Sequence, residues 1–166
     1  MNLIARFSLC LCLIGSSVAS DTWVVREDGV GPVKIGMSLS QLNTVLREQF
    51  PMPADKHDQA CFYVNPKRRP HISFMIENGH LARVDVESPG VSTSSGIQVG
   101  DSESQVLKVY GSRLKVQPHQ YIGSGHYLTA RSKDGRFGVR FETDQGKTTM
   151  FYTGRYNAIQ YVEGCQ

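Results

Sequence analysis

The chain has 166 residues, with 18 Lys and Arg against 15 Asp and Glu, a formal net charge of +3 and 40% hydrophobic residues. So small a basic excess, without a dense cationic run, excludes the charge footprint of a nucleic-acid-binding face. The length suits one compact domain or two small ones, with the composition of an ordinary soluble globular protein.

The first twenty residues have the order of a secretory signal. Arg6 precedes an apolar run from Phe7 to Ile14, and the small residues Gly15-Ser16-Ser17-Val18-Ala19-Ser20 follow. The run is too short to span a bilayer, which takes about 20 apolar residues, so residues 1–20 are expected to be cleaved as a signal peptide. Leu9 and Leu11, not small residues, precede Cys10 and Cys12, so no lipobox is present. Removing that segment takes away one Arg and two of the four Cys, leaving 146 residues, a net charge of +2, Cys61 and Cys165. In an exported protein such a pair is expected to form one disulfide, the alternative being two free thiols. The expected location is periplasmic or secreted.

Thr22 to Val25 reads as a short strand around Trp23. Gly31 to Leu46, GPVKIGMSLSQLNTVL, then has a near-copy from Gly96 to Gly111, GIQVGDSESQVLKVYG. At a shift of 64, Gly36 falls on Gly100, Ser38 on Ser102 and Gln41 on Gln105. Each copy reads as a β-like segment, a Gly, a Ser-x-x-Gln capping box and an amphipathic helix. The first helix is predicted over 39–47, with Leu39, Leu42, Val45 and Leu46 on its apolar stripe, and Pro51 and Pro53 beyond it. Cys61 to Val64 is a predicted strand. Ile72, Phe74 and Ile76 alternate with polar or smaller neighbours, Asn78-Gly79 supplies a tight turn, and Ala82, Val84 and Val86 return. Residues 88–95 form a Ser/Gly linker.

The second helix is predicted over 103–110, with Val106, Val109 and Tyr110 inward and Gly111 ending it. After a loop rich in His, Tyr and Gly come strands at Tyr127–Arg131, Phe137–Phe141 and Lys147–Thr153, with Asp144-Gln145-Gly146 as a turn longer than its counterpart. Tyr161-Val162 is expected to be a last short strand. The fold expected is α+β: two tandem units, residues 21–90 and 96–166, each a short helix followed by about three antiparallel strands, packed as one compact protein.

The segments VKIGMSLSQLNTVL from Val33 and IQVGDSESQVLKVYG from Ile97 resemble the tandem repeats of β-lactamase-inhibitor-protein-like folds. They also resemble the opening of small outer-membrane assembly lipoproteins of the SmpA/OmlA type. The stretches from PHQYIGSGHYLTA through FETD to YVEGCQ are similar to a family of uncharacterised bacterial exported proteins. The resemblance implies a non-catalytic binder or envelope component, although the missing lipobox departs from the lipoprotein pattern.

No catalytic motif stands out. The five histidines, His57, His71, His80, His119 and His126, form no helical i, i+4 pair, and no Cys-x-x-Cys occurs, so neither a metal nor any other cofactor is implied. The residues singled out for binding are the aromatics Tyr121, Phe151 and Tyr156, with His126 beside them, and the cations Arg68 and Arg69 of one strand-connecting turn. Tyrosine buries area at low rotamer cost and keeps a polar tip, which suits protein interfaces. Strand alternation turns Tyr152 inward and Phe151 outward. The function expected is an exported, non-catalytic, inhibitor-like or envelope-associated module that binds another envelope or extracellular protein. The alternative is a small hydrolase or sugar-active enzyme that uses His119, His126 or Glu142, the two histidines lying in one loop. Convergence of those side chains would favour it.

Overall fold

The computed structural model describes residues 23–165; the expected signal peptide and Thr22 lie outside them. Strands β1 (Val25–Arg26), β2 (Gly29–Val30) and β3 (Val33–Lys34) form a small antiparallel meander. Helix α1 (Leu39–Leu46) follows, then β4 (Cys61–Val64), β5 (Ile72–Glu77) and β6 (His80–Val86). Helix α2 (Glu103–Tyr110) precedes β7 (Leu114–Pro118), β8 (His126–Arg131), β9 (Phe137–Asp144) and β10 (Lys147–Arg155).

Two tandem helix-plus-sheet units were expected, and the structure overturns that expectation. The protein is mostly β, with two α-helices of 8 residues each among the described residues. Strands from both halves of the chain lie in one seven-stranded sheet of order β4-β5-β6-β10-β9-β8-β7. The join is the antiparallel β6–β10 pair, from Phe151 opposite Val86 to Gly154 opposite Arg83. A three- or four-stranded sheet alone would leave two edges and a thin core; pairing β6 with β10 covers one edge of each half and merges the cores, leaving β4 and β7 as the edges.

The repeated openings act through backbone docking. Gly36 and Gly100 adopt φ of 93° and 95°, a region open to glycine. Their N–H groups donate to the carbonyls of Leu81 and Thr148, at 2.8 Å each. The first helix turn then lands on a hairpin: Leu39 N–H donates to Gly79 O at 3.2 Å, and Glu103 N–H to Gly146 O at 2.9 Å. In α1 the full capping box forms, with Gln41 N–H donating to Ser38 Oγ (3.3 Å) and Ser38 N–H to Gln41 Oε1 (2.8 Å). In α2, Gln105 N–H donates to Ser102 Oγ at 3.2 Å. Leu39, Leu42, Val106 and Tyr110 are buried as the stripe predicts, whereas Val45 and Val109 turn out to solvent.

Both long hairpins close through two residues at positive φ, Asn78-Gly79 and Gln145-Gly146. The second turn is therefore as short as the first, and both hairpins carry a bulge three residues beyond it, at Ala82 in β6 and at Thr149 in β10. One face of the large sheet carries Phe74, Val84, Leu128, Phe141 and Phe151 into a core shared with Leu42 and Val106. Tyr161-Val162 is not a strand. A 3-10 turn at Ala158–Gln160 leads into an irregular strap that crosses the other face and ends in the Cys61–Cys165 disulfide.

Candidate functional site: the loop and strap on the polar face of the sheet

The face opposite the helices is polar. Arg83 grips Asp85 through Nε and Nη2 (2.7 and 2.8 Å), stacks 4.3 Å from the Tyr152 ring centroid, and donates to the Tyr161 carbonyl of the strap at 2.9 Å. The Tyr63 hydroxyl accepts from Arg83 Nη2 (2.7 Å) and donates to Asp85 (3.1 Å). Burial pushes the Asp85 carboxyl above its ordinary value, opposed by the bonds from Arg83 and Tyr63. Arg140, also buried, donates to Thr129 Oγ1 at 2.9 Å and to Gln160 of the strap. These charges are partnered and covered. Such a network favours one arrangement of strap on sheet.

The loop between β7 and β8 is organised by His119. Its Nδ1 accepts the N–H groups of Tyr121 (3.1 Å) and Ile122 (3.2 Å). An acceptor Nδ1 leaves the proton on Nε2, which donates to Glu142 Oε2 at 3.0 Å. Glu142 also accepts from the Tyr152 hydroxyl at 2.9 Å, and the imidazole stacks on Tyr127 with centroids 4.4 Å apart. With its side chain 5% exposed and both nitrogens engaged, His119 holds the loop in shape.

His126 belongs to different surroundings. Its Nδ1 lies 3.0 Å from Glu103 Oε2 of α2, and that carboxylate also accepts from Thr143 Oγ1 at 2.7 Å. Glu142 and Thr143 are adjacent in β9, so their side chains take opposite faces of the sheet. His119 therefore meets Glu142 on one face of the sheet, while His126 meets Glu103 on the other, so the three side chains do not share one pocket. The Ser124 hydroxyl donates to Asp144 at 2.6 Å and faces neither imidazole as a nucleophile would. Among the described residues, no group of three or more His, Cys, Asp or Glu is placed to hold a metal ion.

What the loop presents is Tyr121, 61% exposed. Its hydroxyl bonds Glu163 of the strap, which holds the Tyr121 pKa above its ordinary value. Across a shallow groove stands Tyr161, 37% exposed, its hydroxyl donating to Glu77 at 3.1 Å. Gln120, Val162 and the Cys61–Cys165 disulfide complete the groove.

The other predicted binding residues scatter. Phe151 is 0% exposed in the helix-side core and presents nothing to a partner; the alternation that sent it outward was reversed, because Tyr152, on the opposite face, is buried as well, under the strap. Tyr156 is half-buried beneath the Arg131 guanidinium, 4.2 Å from its ring centroid. Arg68 is exposed, and the Arg69 guanidinium lies 4.8 Å over Trp23. Their turn precedes Ile72, while the basic turn 132–136 precedes Phe137. The register places the two at opposite ends of the sheet. Glu163 and Gln120 went unremarked in the sequence, since neither has a neighbour pattern that foretells a strap folding back on a loop. The chain matches no protein-family model and no curated protein.

Proposed function

We propose that this protein is an exported, non-catalytic binding module that engages another envelope or extracellular protein through the groove between Tyr121 and Tyr161. The observation that carries the reading is the fixed presentation of Tyr121, an exposed aromatic on a loop whose backbone is tied to a buried imidazole. A side chain held in place before binding loses little entropy on docking, and two tyrosines around a disulfide floor offer flat apolar area with polar tips. The pairing of Cys61 with Cys165 and the apolar segment after Arg6 support a periplasmic or secreted location. The resemblance to β-lactamase-inhibitor-protein-like and SmpA/OmlA-like repeats points the same way.

The test uses a photo-crosslinking residue at 121, with one at exposed Met52 as control. A partner captured from position 121 and not from 52 is purified, and its affinity measured against Tyr121→Ala/Tyr161→Ala. The expected result is a loss of tenfold or more with the melting temperature nearly unchanged. Equal capture at both positions, or unchanged affinity, removes the groove from consideration.

A further inference from the structure

A second concavity lies away from the strap, where the β1–β3 meander, the turn at residues 93–96, the end of α2 and the β8–β9 turn meet. It encloses about 670 Å³, within the roughly 300–1,000 Å³ range of small-molecule sites. Its floor is apolar: Val25, Tyr110 and Val139 are buried there, with Phe137 beside them. Its mouth is cationic and stands over aromatic rings. Arg113 lies 5.8 Å from the Tyr110 centroid and Arg136 5.1 Å from that of Phe137.

Most of the mouth's charge is spoken for. Arg113 pairs with Glu27 and Arg136 with Asp134, while Asp28 is shared between Arg26 at 3.6 Å and Lys34 at 2.7 Å. Lys133, on the same turn as Arg136, forms no ion pair among the described residues. The mouth therefore holds four cations against three carboxylates, and the surplus charge sits on a flexible stem at the edge of an apolar floor. The hydroxyls of Ser94 and Ser95 add donors around it.

The geometry points to a binding site for a small amphipathic organic anion, with its apolar or aromatic body against Tyr110 and Phe137 and its carboxylate, sulfonate or phosphate toward Lys133. The apolar floor supplies the attraction for the body by removing it from water. An uncompensated ammonium beside serine hydroxyls selects one negative head over a neutral one. No segment of the groove at Tyr121 takes part, so this site stands or falls independently of the protein-binding reading.

The probe is 8-anilinonaphthalene-1-sulfonate, an aromatic body with one anionic head, compared with its neutral relative N-phenyl-1-naphthylamine. The folded protein is expected to bind the sulfonate at one saturable site, with a rise in melting temperature at saturation that shows binding to the native state. Lys133→Ala should weaken the sulfonate about tenfold, and the neutral dye should bind several-fold less tightly than the sulfonate. Ser95→Trp, which places a large side chain on the mouth without touching the core, should abolish binding. Lys147→Ala, a cation outside the site, should leave it intact. Absence of a saturable site, equal affinity for the two dyes, or indifference to both Lys133→Ala and Ser95→Trp would overturn the assignment.

Discussion

His119 shows how one side chain sets what a loop can present. Its imidazole accepts two successive backbone N–H groups and donates to a carboxylate that itself holds Tyr152. Replacing it leaves two loop amides without their acceptor and the Glu142 carboxylate with Tyr152 as its remaining partner, and losing such bonds costs about 1–3 kcal/mol. His119→Ala is accordingly expected to destabilise the protein by about 2 kcal/mol and to speed hydrogen exchange at the Tyr121 and Ile122 amides above all others. Unchanged exchange at those two amides would remove His119 from its organising role. Asp134 makes a smaller, cleaner case. The Ser132 hydroxyl, and after it Arg136, hold its carboxyl down at about 2, below the ordinary 3.8. Depression of a folded-state pKa means that the contribution to stability is complete above the unfolded value and is lost as pH falls from about 4 toward 2. A carboxyl-detected NMR titration is expected to place its midpoint near 2, and Ser132→Ala is expected to raise it.

Among the elements, the strap from Ala158 to Cys165 decides which face of the sheet meets solvent. Its inner anchors are Ala158 and Ile159, both 0% exposed, and the carbonyl of Tyr161 on Arg83; its outer anchor is the disulfide. The bond spans a sequence separation of 104 residues, for which the chain-entropy account gives roughly 4–5 kcal/mol as an upper figure and common experience about 2–4. The double variant Cys61→Ser/Cys165→Ser is expected to lose stability in that range, with faster amide exchange in the strap and little change in α1. Equal acceleration in α1 and strap would mean that the bond supports the whole molecule instead of one element.

Much of this level was legible beforehand. The capping box of α1, the Asn78-Gly79 turn and the cysteine pair all follow from local chemistry. Phe151 did not, because alternation within one strand says which residues share a face but not which face a distant segment will cover; with both faces of β10 buried, Phe151 and Tyr152 lose the contrast that tells inside from outside. Strand β7 carries no strand signal because Lys115, Gln117 and Pro118 mask its only apolar pair, and at the sheet edge Val116 is exposed and Leu114 only half-buried. The loop-to-strap contact of Tyr121 with Glu163 joins residues 42 apart and leaves no local signature.

At the scale of the whole molecule, one strand pair makes the two halves of the chain a single sheet. Neither half's signal for this was local, since β6 and β10 read equally well as edges of separate sheets. The close approach is visible at Gly154, where a Cβ would stand 2.3 Å from the Ala82 carbonyl oxygen and 2.8 Å from the Arg83 Cα. Both are backbone atoms of β6, so a methyl group there must push the strands apart rather than displace a pliant side chain. Gly154→Ala should therefore cost about 1–3 kcal/mol, more than a strand Gly→Ala change in open surroundings, which on propensity alone tends to stabilise. The pattern of the loss is more telling than its size. If β6–β10 pairing makes the sheet one cooperative unit, both halves must feel the insertion equally. Trp23, the only tryptophan, packs against the core in the first half, and its fluorescence reports there. Far-UV circular dichroism weights the longer strands of the second half. In urea the two signals are expected to share one midpoint in the native protein, and in Gly154→Ala to move together to a lower one. Separation of the two curves in the native protein would show that the halves unfold independently, and that the central pair joins them in space without coupling them in energy.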